Sequence, residues 1–282
     1  MLRLAAASRA LREAFPAAAD PLAVAVTHLG GVTVLMLGLS LLYWLTDRRA
    51  TALVVAYAFG AYAVVLGLKW LFVLPRPPEA VWVIATDGYG FPSGHATAAA
   101  VVYGGIALEF DRVTERWQQA ALGGVAVAVA CSRVVLGVHF LSDILAGLVL
   151  GAALLAAFHY GADGDPTRSF AAAGVLGVAA LSTTWGDPGT VAEVLGIVGA
   201  CVGGALATWD MDAIPRFESA VEAVALVVVG LAFLVALQVA GEAFTGLLAG
   251  VDDAVLVGGL VLMPRIVGRA WRHVPVSGGA RA

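Results

Sequence analysis

Nine stretches of this chain are apolar for long enough to cross a lipid bilayer, and nothing else in it constrains the fold so tightly. A bilayer core takes about 20 apolar residues per helix. Runs of that kind lie near 23–45, 52–74, 95–110, 119–137, 140–160, 170–186, 190–208 and 220–240, with a ninth inside 246–268. In lipid every backbone N–H and C=O must be satisfied within the segment, so such runs form helices. The expected fold is all-α, a polytopic membrane helical bundle of about nine spans. Composition agrees: 61% of the 282 residues are hydrophobic and 13% charged, where a soluble domain carries about 25% charged residues. The ninth run holds Asp252 and Asp253 in its first half and Pro264–Arg265 in its last. A carboxylate deep in lipid costs roughly 2.5–3.5 kcal/mol, so the acid pair is expected near a membrane surface.

Alternating spans put Arg48, Arg49, Arg112, Arg116, Arg168, Arg216 and the tail Arg265, Arg269, Arg272 and Arg281 on one side. The positive-inside rule makes that side cytoplasmic. Residues 1–15 set Leu4, Leu11 and Phe15 against Arg3, Arg9, Arg12 and Glu13, the pattern of a helix lying in the interface. Its three arginines are the exception to the rule, and the sequence leaves open whether it lies on the outer face or returns through the interface. Three regions follow: an amphipathic segment 1–22, a membrane core 23–160, and an additional helical region 161–282 with a basic tail and no assigned role. The polar loop 161–169 divides five spans that carry all the chemistry below from four that carry none. Glycines four apart, Gly147 with Gly151 and Gly199 with Gly203, permit close helix packing. Cys131 and Cys201 lie far apart inside apolar runs and are expected as small core residues. A net charge of −4 makes no case for a nucleic-acid partner.

Polar groups within or beside spans merit a functional reading, and three clusters fall at one membrane face. The first is Lys69 with Arg76 and Pro77. On a continuous helix seven residues are nearly two turns, so both cations share a face, and Pro75, Pro77 and Pro78 then end the helix. The second is Phe91-Pro92-Ser93-Gly94-His95. Ser93 reads as a helix N-cap, and the turn after it offers free N–H groups to an anion. Gly94 admits a ligand close to the backbone, and His95 can donate a proton. The third runs from Ser132-Arg133 to His139 and Asp143. His139 and Asp143 are four apart on one helical face, so the carboxylate can fix the tautomer and leave the other ring nitrogen as a nucleophile. Arg133 supplies a planar fork for phosphate oxygens. Each cluster alone is compatible with a structural role: snorkelling cations, an ordinary cap, a buried His–Asp pair. Together they make the set that phosphoryl transfer needs, and Lys69 is the one lysine in the chain.

In this order and spacing the clusters resemble the tripartite signature of the type 2 phosphatidic acid phosphatase family: Lys-x6-Arg-Pro, Pro-Ser-Gly-His, and Ser-Arg-x5-His-x3-Asp. Lys69, Arg76, Pro77, Pro92, Ser93, Gly94, His95, Ser132, Arg133, His139 and Asp143 match every defined position. The resemblance covers residues 52–160. It implies the helical core shared with vanadium-dependent haloperoxidases, His139 as nucleophile, Asp143 as its orienter and His95 as acid and base. It further implies that Lys69, Arg76, Ser93, the Gly94 backbone and Arg133 hold the phosphate. One departure stands: many members have the first cluster after a third of six spans, whereas here two clear spans precede it and four follow the core.

The expected activity is that of a membrane lipid phosphate or diphosphate phosphatase working through a phosphohistidine, with no metal and no cofactor, its site facing the outer side of the cell membrane. Polyprenyl diphosphate, phosphatidate and phosphatidylglycerophosphate-type lipids all fit as the partner in the bilayer, with Trp70, Phe72, Trp82 and Phe91 flanking it. A phosphotransferase of the same fold, a non-catalytic lipid-phosphate binder or transporter, and homo-oligomerisation stay open.

Overall fold

The computed structural model describes residues 4–211, 219–241 and 247–272, and its regular structure is helical. The helices are α1 (Ala5–Glu13), α2 (Asp20–His28), α3 (Val32–Leu45), α4 (Arg48–Phe72), α5 (Gly94–Glu109), α6 (Arg116–Val135), α7 (Leu141–Gly161), α8 (Pro166–Thr184), α9 (Pro188–Thr208), α10 (Ala220–Gly241) and α11 (Leu247–Arg272). Arg216 and Arg281 lie outside the described residues.

Long α4 is the axis of the bundle. Asp47 starts it by accepting a hydrogen bond from the Ala50 N–H at 2.9 Å, which satisfies one of the orphan donors of a first turn. Val73 ends it in a left-handed conformation with its N–H on Lys69 O. Pro75 sits two residues on and bars further helix. Arg76 is therefore not on a continuation of α4, as the seven-residue spacing suggested, but in the loop beyond it.

Glycines set how closely the neighbours approach. A Cβ at Gly147 of α7 would lie 2.7 Å from Ser93 O, so α7 packs directly on the start of α5. Gly199 and Gly203 of α9 lie against the backbone at Gly250 and Ala254 of α11, and the equal offset makes the two helices parallel. Small residues four apart let helix backbones meet in a medium where apolar side chains gain nothing by leaving lipid. The last helix is also tied to α3, through Tyr43 Oη to Val261 O at 3.0 Å and Trp44 Nε1 to Leu260 O at 3.2 Å. Cys201 is buried and Cys131 half-buried, and neither forms a disulfide.

Five described helices are long and apolar enough to span a bilayer: α4, α6, α7, α9 and most of α10. The segments 17–28 and 32–45 make a sixth if counted together, bent by 48° at their break. The remaining runs of the nine expected become α5, α8 and α11. The first has 16 residues; α8 carries Arg168 and several hydroxyls, and α11 the acid pair and three arginines. Five or six of the nine expected spans are thus present by length and composition among the described residues, and the multi-pass membrane architecture holds. Because α4, α6 and α8 start where α5 and α7 end, Arg48, Arg49, Arg112, Arg116 and Arg168 gather at one end. Arg49 Nε bonds Gly164 O there at 3.0 Å.

Candidate active site

Opposite that basic end lies a cavity of about 490 Å³, and Lys69, Arg76, Gly94, His95, Arg133 and His139 all line it. Ser93 and Asp143 are fully buried immediately behind. All three sequence clusters therefore reach one place. Lys69 enters from the last turn of α4 and Arg133 from the last turn of α6.

The third cluster folds tightly on itself. After α6 the chain turns so that the N–H groups of Val138 and His139 both donate to Arg133 O, at 3.1 and 3.3 Å. Gly137 makes the turn possible: its φ is +72°, and a Cβ there would collide with the Val81 carbonyl oxygen. Asp143, in the first turn of α7, accepts from the Phe140 N–H at 2.9 Å and from Ser142 Oγ at 3.1 Å. Its own carbonyl accepts the Ser93 N–H at 3.0 Å, which joins the second and third clusters through the backbone.

His139 is 2% exposed. Its Nδ1 faces Asp143 Oδ2 at 3.4 Å, longer than an ordinary hydrogen bond, with no nearer acceptor among the described residues. Its Nε2 lies 2.9 Å from Arg76 Nη1. A guanidinium can only donate, so Nε2 is the acceptor, and the ring proton sits on Nδ1 toward the carboxylate. Burial drives the imidazole's proton affinity well below its ordinary value; the Asp143 contact opposes this, and Arg76 and Arg133 reinforce it. The ring is neutral at pH 7, with the lone pair of Nε2 facing the cavity side.

Arg76 is held by its surroundings rather than by a carboxylate. Nη1 also donates to Val138 O at 3.1 Å, while Nε and Nη2 donate to Asp87 O at 3.0 and 2.8 Å. Arg133, 3% exposed, donates from Nη1 to Thr27 Oγ1 at 2.8 Å, and its Nε has no partner. Ser93 stands at the N-cap position of α5 as expected, yet makes no capping hydrogen bond. Its Oγ is buried and unpartnered, and its N–H donates to Asp143 O. The first-turn N–H groups of α5 are left without a side-chain cap.

The aromatic residues brace the loop 73–93. Phe72 and Phe91 meet edge to face at 5.4 Å, Trp70 and Tyr89 at 5.2 Å, and Trp82 Nε1 bonds Pro77 O at 2.9 Å. Among the described residues no group of three His, Cys, Asp or Glu side chains is gathered for a metal ion.

Two contributions had no signal in the sequence. Thr27, on α2, supports Arg133 from across the bundle. The amphipathic start, whose position was open, packs on the site end. Ser8 Oγ accepts the Leu141 N–H at 2.8 Å, and Arg12 donates to Val135 O, so α1 closes the facing ends of α6 and α7 around His139. Replacing Ser8 with Ala removes a cap worth about 1 kcal/mol. A thermal melt should show a loss of roughly 2–4 °C.

Residues 28–164 match the PAP2 superfamily. Phosphatidylglycerophosphatase B of Bacillus subtilis (strain 168) is 39% identical over 80 residues, 26% of this chain. The chain spans 39% of the length of that relative. Among solved structures, a transmembrane PAP2 type phosphatidylglycerolphosphate phosphatase from Bacillus subtilis shares 23% identity at a TM-score of 0.49, over 58% of this chain and 88% of the other. Aquifex aeolicus LpxE shares 18% at 0.48, over 54% and 92%.

Proposed function

With residues 28–164 matching the PAP2 superfamily, we propose that this membrane protein hydrolyses lipid phosphate esters through a phosphohistidine at His139. The observation that carries the proposal is the Arg76–His139 contact, which makes Nε2 an acceptor and leaves the proton on Nδ1. An incoming phosphate takes the N–H groups of Arg76, and the lone pair they covered is released toward phosphorus. Lys69, Arg133, Ser93 Oγ and the first N–H groups of α5 hold the remaining oxygens, which stabilises the charge of the transition state. Nε2 attacks in line and the ester P–O bond breaks; His95, which takes up a proton as the entering phosphate anion offsets the surrounding cations, passes it to the departing alcohol. Water deprotonated by His95 then cleaves the P–N bond, releasing phosphate and restoring the imidazole. Fixed cations supply the positive charge, so no metal is required.

The site end faces the outer side of the membrane, an orientation supported by the arginines gathered at the opposite end. The name of the similar Bacillus subtilis protein makes a glycerophosphate-headed lipid the first substrate to test. Purified protein in detergent should release phosphate from phosphatidylglycerophosphate with and without EDTA. No release from any lipid phosphate, or release abolished by EDTA, overturns the corresponding part.

Gly94 separates binding from folding. A Cβ there would meet only Val65 Cγ1 at 3.5 Å, an ordinary contact. Its methyl group would stand in the path of phosphate to the α5 backbone. Gly94→Ala should leave the melting temperature unchanged and lower phosphate release about 10- to 100-fold.

A further inference from the structure

The cavity continues past the cations, and its far wall is acidic. Tyr62 is seven residues before Lys69 on α4, nearly two turns and about 10 Å deeper. Both line the cavity, as do Glu193 of α9 and Asp253 of α11. Tyr62 Oη donates to Glu193 Oε1. Gly196 follows Glu193 by three residues, on the same face of α9. The Asp253 carboxylate occupies the space a Cβ at Gly196 would need. One glycine thus admits Asp253 to the face of α9 that carries Glu193. Glu193 is exposed and Asp253 half-buried, so both carboxylates are open to a ligand.

Two further observations mark the space as one for a ligand. Arg133, 3% exposed and lining the same cavity, keeps its Nε without a partner, and the fully buried Ser93 Oγ behind it has none. A molecule filling this space meets donors at one end and acceptors at the other. The acid pair also stands outside the matched 28–164, on helices to which sequence reading assigned no role.

We propose that the cavity selects single phosphate esters whose headgroup carries a hydrogen-bond donor, a hydroxyl or an amine, beside the phosphate-bearing carbon, with Glu193 and Asp253 as its acceptors. The proposal rests on the phosphatase reading above and narrows its substrate. Diphosphates are disfavoured, because a second anion would face two carboxylates. Polyprenyl diphosphate thus becomes the poorest of the three lipids named from the sequence. Region 161–282 acquires a role in this way: α9 and α11 build the wall that reads the alcohol.

The test compares three single-chain probes: lysophosphatidate, with a hydroxyl beside the phosphate-bearing carbon; its 2-deoxy analogue, with none; and sphingosine phosphate, with an amine there. Both kcat/KM for phosphate release and thermal stabilisation of the protein by each probe are measured. Wild type should favour a donor-bearing probe over the deoxy analogue by roughly tenfold or more, and whichever of hydroxyl and amine gains more identifies the donor. Glu193→Gln and Asp253→Asn should each cut that preference at least about threefold. If the deoxy analogue does as well in wild type, or if both variants change all probes equally, the carboxylates are only counter-ions to Lys69 and the proposal is overturned. If no probe releases phosphate, the phosphatase reading fails instead, and the stabilisation ratios still decide this one.

Discussion

Replacing His139 with Ala is expected to lower phosphate release by more than about 10⁴-fold, the scale on which loss of a nucleophile is felt. The side chain is 2% exposed and sits where Lys69, Arg76 and Arg133 converge on the cavity. Without it the cations can still bind phosphate, but nothing in the site can displace the alcohol from phosphorus. The variant should therefore keep binding inorganic phosphate, read as thermal stabilisation, while steady-state release disappears. Loss of binding together with activity would mean that the pocket had collapsed. His139→Gln, closer in size and still polar, then separates the two causes: it should restore the fold and binding, and not the turnover.

Asp143→Asn should cut kcat by about 10³- to 10⁴-fold. The carboxylate is fully buried, 3.4 Å from Nδ1, and bonded to the Phe140 N–H and Ser142 Oγ. An amide at the same place can turn its NH₂ toward the ring. The proton then moves to Nε2, the nucleophile is lost, and its contact with Arg76 becomes repulsive. Even with the amide oxygen on Nδ1, the cationic phosphohistidine has no counter-charge. The backbone bond from Ser93 N to Asp143 O does not involve the side chain and survives, so KM should move far less than kcat. An equal loss in both would assign Asp143 to holding the cavity open.

What the sequence made legible was local. Each cluster is a short stretch whose spacing fixes its own chemistry, and His139 to Asp143 needs only one turn of helix. The close packing at Gly199 and Gly203 was likewise visible as a spacing. The contacts that assemble the site were not visible, because they join residues far apart: Ser8 to Leu141, Thr27 to Arg133, Glu193 to Tyr62. No periodicity marks a threonine on α2 as the support of an arginine on α6. Ser93 shows the limit from the other side: its residue type correctly predicted a cap position, yet its hydroxyl makes no capping bond. Arg76 shows it too, since a spacing that fits two helical turns was overruled by the αL residue Val73 ahead of Pro75. The runs that do not count as spans are short or polar: α5 has 16 residues, and α8 carries Arg168 and several hydroxyls.

Covalent phosphate on His139 is the most direct test that three distant stretches of chain serve one phosphoryl group. Protein turning over a lipid labelled in its phosphate should be quenched in alkali, where phosphohistidine survives, digested and sequenced by mass spectrometry. The account predicts label on the peptide carrying His139, and none in His139→Ala. Continued phosphate release with no label at His139, or with the label on another residue, would contradict it.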